Sequence, residues 1–190
     1  MIVRIVPGYE LPVNILTDEL YAKYLSAVRN ELDKSGGGDI KLIFCGGNTD
    51  KEPPYVRTEA EEMARLWKMK FDMKGVQVWV ERESLSSLDN QIMAKQLIDN
   101  QGWKELPKVF AEWTRVTRLA VICNRLYGKE VEIIPVDLYS EEQLIDLKLM
   151  QEKEQAQIQR CLWALENDNN LGIYRKFIVD SLEIIRKAKP

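Results

Sequence analysis

Five short apolar runs, alternating with amphipathic helical patterns, constrain the fold of this chain more than any other feature. They are Ile2-Val3-Arg4-Ile5-Val6, Ile40-Lys41-Leu42-Ile43-Phe44-Cys45, Val76-Gln77-Val78-Trp79-Val80, Lys108-Val109-Phe110-Ala111 and Val131-Glu132-Ile133-Ile134-Pro135-Val136. Between the first two, Leu20, Tyr21, Tyr24, Leu25, Val28 and Leu32 recur at helical spacing until the glycines at 36–38. Thr58-x-x-Glu61 reads as a capping box opening a helix whose face is Ala60, Met63, Ala64, Trp67 and Phe71. A third pattern carries Leu88, Ile92 and Ile98, and a fourth carries Val116, Leu119, Ala120, Cys123, Leu126 and Tyr127 up to Gly128.

A strand and a helix in turn, at about 30 residues per unit, mark right-handed βαβ crossovers and a parallel sheet buried on both faces. The expectation is an α/β fold: a Rossmann-like three-layer sandwich with a mainly parallel sheet of about five strands. Five repeats are too few for an eight-stranded barrel. This domain spans 1–138. The remainder, 139–190, reads as a C-terminal helical hairpin, with Ser140-x-x-Gln143 capping a segment that reaches about Glu166 and a last helix from Leu171 to Lys187. The hairpin packs on the same domain, covers a site or pairs with a second copy. Packing on the domain is the favoured expectation, and a homodimer through these helices stays open.

Composition narrows the chemistry. The 190 residues carry 27 Lys and Arg against 30 Asp and Glu, a net charge of −3, so no basic field exists for nonspecific nucleic-acid binding. No apolar run approaches the roughly 20 residues of a membrane span, and no signal peptide is visible. There are no histidines, which removes Ser-His-Asp and Cys-His catalysis and imidazole metal ligands. Cys45, Cys123 and Cys161 form no CxxC pair and sit among apolar neighbours, so buried reduced thiols and a cytoplasmic location are expected.

Ligands of open parallel sheets bind beyond the carboxyl ends of the strands. Gly46-Gly47-Asn48 follows strand two, and Arg57-Thr58-Glu59 opens the next helix. The glycine pair lets backbone approach a ligand or simply makes a tight turn; it is neither a Walker A loop nor a GxGxxG fingerprint. After strand three come Ser84, Ser87, Asp89 and Asn90, of which one suffices as a helix cap. Arg115 and Arg118 fall in the start of the fourth helix, where the helix dipole disfavours cations by about 0.3–1 kcal/mol each. A negative partner is required: either Glu112, Asp89 or Asp137, or a bound phosphate or carboxylate. Arg57 near another helix start favours the bound anion. Glu59 and Asp89 are the candidate general bases of any reaction, because no histidine exists for that role.

In order along the chain these segments resemble the YdcF/SanA/ElyC-like family of bacterial proteins over roughly Ile2 to Leu138. The resemblance rests on Val6-Pro7-Gly8, on Phe44-Cys45-Gly46-Gly47 and on Arg57-Thr58-Glu59-Ala60-Glu61-Glu62-Met63. It continues through Ser84-Leu85-Ser86-Ser87-Leu88-Asp89-Asn90 and Ile134-Pro135-Val136-Asp137. In the family's Ser-x-x-His-x-x-Arg segment this chain keeps Arg118 but has Glu112 and Arg115 in the serine and histidine places. The resemblance implies a Rossmann-like fold, S-adenosylmethionine as a candidate ligand and no settled reaction.

The leading expectation is a strand-end cleft for a small anionic or nucleotide-like ligand. Arg57, Arg115 and Arg118 grip the charge; Gly46 and Gly47 donate backbone contacts to it; Asn48 and Thr58 join the ligand-binding set; Ser84, Ser87 and Asn90 orient it. Transfer or hydrolysis, with Glu59 or Asp89 as base, is the reaction class considered. The rival expectation is a non-catalytic interaction module whose arginines close in ion pairs with Glu59, Asp89 and Glu112.

Overall fold

The computed structural model describes residues 1–9, 11–36, 38–51, 53–138 and 147–188, with backbone alone for 147–151. Its strands are β1 (Ile2–Pro7), β2 (Ile40–Cys45), β3 (Val76–Glu81), β4 (Lys108–Glu112) and β5 (Ile133–Val136). Its helices are α1 (Glu19–Lys34), α2 (Glu59–Lys70), α3 (Ser87–Asn100), α4 (Val116–Tyr127), α5 (Leu147–Ala164) and α6 (Asp168–Ala188). The expected Ser140–Gln143 cap lies outside the described residues.

The five strands form one parallel sheet in the order β3-β2-β1-β4-β5. This is the Rossmann-like layout. Its two β-α halves wind outward from β1 and β4, so the chain reverses direction across the sheet between those strands. The β1–β2 ladder runs through six pairs, from Ile2↔Ile40 to Pro7↔Cys45, whereas β1 and β4 pair only at Arg4↔Lys108 and Ile5↔Val109. The two central strands therefore part before their carboxyl ends, which opens a crevice at the switch point.

Strand alternation divides the core into two layers. Val6, Leu42, Phe44 and Phe110 face α1 and α2, where Tyr21, Leu25, Met63 and Trp67 are buried. Val3, Ile5, Ile43 and Val109 face α3 and α4, meeting Leu88, Ile98, Leu119 and Cys123. Cys161, Ala164 and Tyr174 of the tail join this second layer. The helical hairpin thus packs on its own domain.

Local signals place most helix ends. Asp18 caps α1 by accepting from the Tyr21 N–H at 2.7 Å. Thr58 caps α2 by accepting from the Glu61 N–H, and its hydroxyl donates back to Glu61 Oε2 at 2.8 Å. Ser86 caps α3. Helix α4 has no side-chain cap: a single 3₁₀ turn, Trp113–Arg115, leads into it with Arg115 at the cap position.

The expectation of strands buried on both faces meets β1, β2 and β4. It does not fit the edge strands: Val80 in β3 is 38% exposed and Pro135 in β5 is exposed. An edge strand has a neighbour on one side only, and the flanking helices cover it in part: Val76 is buried, Val78 and Trp79 half-buried. The fifth strand also begins at Ile133 rather than Val131.

The tryptophans differ in what they contribute to the core. Trp67 is fully buried, between Phe44 at 5.8 Å and Phe71 at 4.6 Å between ring centroids, while Trp163 is 39% exposed on α5. Urea unfolding is expected to show a loss of about 3–5 kcal/mol for Trp67→Ala. Trp163→Ala is expected to stay within about 1 kcal/mol. Equal losses would contradict the assignment of Trp67 to the core.

Candidate functional site

A cleft of about 330 Å³ lies where β1 and β4 part. Gly8 and Tyr9 after β1, Thr49 and Lys51 after β2, and Ser84 to Ser87 after β3 form its floor and near wall. Glu59, Asn90, Arg115 and Arg118 enter it from the N-terminal ends of α2, α3 and α4, and α6 closes the far side. Loops that are distant in sequence meet here because every strand of a parallel sheet delivers its carboxyl end to the same edge.

Glu59 is the most tightly fitted of these groups. It is 5% exposed, and the Thr49 hydroxyl donates to its Oε1. A Cβ at Gly8 would stand 1.7 Å from Glu59 Oε2, and one at Gly46 would stand 2.7 Å from Glu59 Cβ. Gly46 also has φ of +147°, which side-chain-bearing residues rarely adopt. The glycines that close β1 and β2 are therefore the room in which this carboxylate sits. Their N–H groups are engaged: Gly8 donates to Cys45 O, Gly46 to Glu81 O at 3.0 Å, and Gly47 to Ser84 O at 2.5 Å. The contribution of Gly46 and Gly47 is thus close backbone packing, with no N–H left over for a ligand.

Glu81, at the end of β3, organises the adjacent loop. Its Oε1 accepts from the Glu83 and Ser84 N–H groups at 2.7 and 3.0 Å. Ser84 Oγ lies 2.5 Å from Glu81 Oε2 and also within bonding distance of Asn90 Oδ1. One hydroxyl proton cannot serve two acceptors. The network closes if Asn90 turns its amide N–H₂ to Ser84 or if Glu81 holds a proton. Burial pushes the Glu81 carboxyl above its usual value, opposed by these same hydrogen bonds.

The three expected arginines all stand at this end of the sheet, but in different states. Arg57 is outside the cleft lining. It grips Asp50 with Nε and Nη2 at 2.9 and 2.7 Å and donates to the Pro12 and Val13 carbonyls. Arg118 lines the cleft with its Nε 3.2 Å from Glu154 Oε2, a charge contact without hydrogen-bond alignment. Burial lowers its pKa, with Glu154 opposing that shift. Arg115 donates from Nη2 to the Tyr9 carbonyl at 3.2 Å. Among the described residues, no carboxylate oxygen lies within 4 Å of its guanidinium.

Asp89 is 4% exposed, accepts from Arg175 Nε at 2.7 Å, and does not line the cleft. Asn48 also stands apart: it accepts from Arg186 Nη2 at 2.8 Å and donates to the Tyr55 carbonyl. Thr58 is occupied as a cap, and Glu112 accepts from the N–H and hydroxyl of Thr114. The rival pairing of the arginines with Glu59, Asp89 and Glu112 is therefore not the one found. Among the described residues Arg57 pairs with Asp50 and Arg118 with Glu154, while Asp89 is answered by Arg175. Of these, only Asp50, seven residues from Arg57, left a local trace in the sequence. Glu154, Arg175 and Arg186 come from the tail.

The thiols do not join the site. Cys45 is buried and its pKa is pushed far up, and burial pushes Cys123 up to about 12. Among the described residues, no cluster of three or more metal-ligating side chains is present. No described helix is long and apolar enough to cross a membrane.

Two outcomes test this geometry. A Cβ at Gly47 would lie 2.5 Å from Ser84 O and 2.8 Å from Arg82 O, both backbone atoms. Gly47→Ala is expected to cost about 1–3 kcal/mol in urea unfolding; an unchanged midpoint would contradict the close packing. For Glu81 the folded pKa is above the unfolded one, near 4.5. Its contribution is then complete below 4.5 and is lost as pH rises through the folded value. The stability of Glu81→Gln minus that of the parent should rise over this window; a flat difference would contradict the burial.

No family model, curated protein or solved structure matches this chain.

Proposed function

We propose that the chain binds a small anionic or nucleotide-like ligand in the cleft at the carboxyl ends of its parallel strands. Arg115 carries this reading. It is a cation at the uncapped start of a 12-residue helix, where the dipole disfavours positive charge, and no carboxylate within 4 Å answers it among the described residues. An anion seated there would gain the guanidinium fork and the helix N–H groups together. Arg118 brings a second guanidinium to the same lining, beside Glu154. Ser87 and Asn90 add orienting polar groups to the lining.

If the bound ligand reacts, by hydrolysis or group transfer, Glu59 is the base. It reaches the cleft, whereas Asp89 is neutralised by Arg175 outside it. S-adenosylmethionine, suggested by the family resemblance, offers a carboxylate to Arg115 and cationic groups to Glu59. The second reading, a non-catalytic interaction module, is favoured by the closed pairs Arg57–Asp50 and Arg175–Asp89.

A thermal-shift series with inorganic phosphate, AMP and S-adenosylmethionine separates the two. A ligand that binds only the native state stabilises it by about 2.7 kcal/mol at one hundred times its Kd. At least one probe is expected to raise Tm, and Arg115→Gln to abolish that rise. Arg57→Gln is expected to lower the starting Tm, because it removes the guanidinium that donates two hydrogen bonds to the buried Asp50 carboxylate, yet to keep the ligand-induced rise. No rise with any probe supports the interaction module.

A further inference from the structure

We infer that the ligand of this cleft is amphiphilic: an anionic head joined to a compact apolar body, a short alkyl chain or a single ring, that rests on α6. The inference builds on the anion-binding reading above and specifies the half of the ligand that it leaves open. Its ground is a set of apolar side chains with no role in the core. Leu85, Leu182 and Ile185 line the cleft and belong to neither of the two apolar layers that pack the sheet. Ile178 serves both, touching the second layer and the cleft.

Along α6 the positions 178, 182 and 185 follow the i, i+4, i+7 spacing of a single helical stripe. This stripe continues the core-facing line of the helix beyond the end of the core. Arg186 pins the helix there, donating to Asn48 O and Asp50 O at 3.0 Å each, with its guanidinium 5.1 Å from the Tyr55 ring centre. A helix fixed by polar bonds at its end, with leucine and isoleucine turned into a cleft, offers a preformed apolar surface. The opposite wall offers Arg115, Ser87 and Glu59. A purely polar ion would leave the apolar stripe wet, and a purely apolar molecule would leave Arg115 without its counter-charge. A head and body in one molecule satisfies both walls.

The test is isothermal titration of the full chain with methyl phosphate and butyl phosphate, and with pentanoate to distinguish a phosphate from a carboxylate head. Each methylene buried adds about fourfold to affinity, so butyl phosphate is expected to bind at least about tenfold more tightly than methyl phosphate, with a more negative heat-capacity change. Ile185→Asn changes a residue that is 41% exposed, so the fold tolerates it. It and Leu182→Asn are each expected to remove most of the butyl gain while leaving methyl phosphate binding unchanged. Equal affinity for the two phosphates in the parent chain would overturn the amphiphilic ligand and leave the anion site standing. A butyl gain that survives both substitutions would also overturn it, by removing the α6 wall. Absence of binding by all three probes would defeat this inference and the anion-binding reading together.

Discussion

The packing of Glu59 against Gly8 and Gly46 is the contact on which the arrangement of the cleft depends. It joins the ends of β1 and β2 to the first residue of α2. A larger residue at either glycine would push the strand ends from the helix, and the loops carrying Thr49 and Ser84 would move with them. A buried carboxylate placed this closely is costly unless its oxygens are bonded. The Thr49 hydroxyl provides one such bond from the neighbouring loop. The same contact thus shapes the backbone and presents an acid to the cleft.

Around that acid, charge is distributed unevenly. Most cations near the strand ends are already matched: Arg57 with Asp50, Arg118 with Glu154, Arg175 with Asp89. These pairs tie loops and tail to the sheet, and breaking one would remove the cation beside a buried or half-buried carboxylate. Arg115 differs, because among the described residues its guanidinium bonds to a backbone carbonyl and to no carboxylate. The distinction between matched and unmatched arginines separates residues that build the site from the one proposed to use it.

Much of the fold was legible because its signals are local. Period-2 and period-3.6 patterns, the cap at Thr58 and the glycine stops lie within a few residues of the elements they define, whereas the α3 cap is Ser86, none of the four residues expected for it. Edge exposure was not legible, since the sequence of Val76–Val80 does not state that β3 lies outermost. The candidate site was legible in part. Glu59, Ser84, Ser87, Asn90, Arg115 and Arg118 do converge, as the rule for parallel sheets expects. Gly46, Gly47, Asn48, Arg57, Thr58 and Asp89 lie close by, bonded to the surrounding protein. Which arginine would be matched depended on Glu154 and Arg175, contacts that span tens of residues and obey no spacing rule. The apolar wall was hidden for the same reason: Leu182 and Ile185 read as one more amphipathic helix until the core they fail to join is known.

The most direct measurement is a side-chain NMR titration that follows the arginine Nε–H resonances as phosphate is added. The Arg115 signal is expected to move in a saturable way while that of Arg57, held by Asp50, stays in place. A stationary Arg115, or equal drift of every arginine with ionic strength, would contradict it.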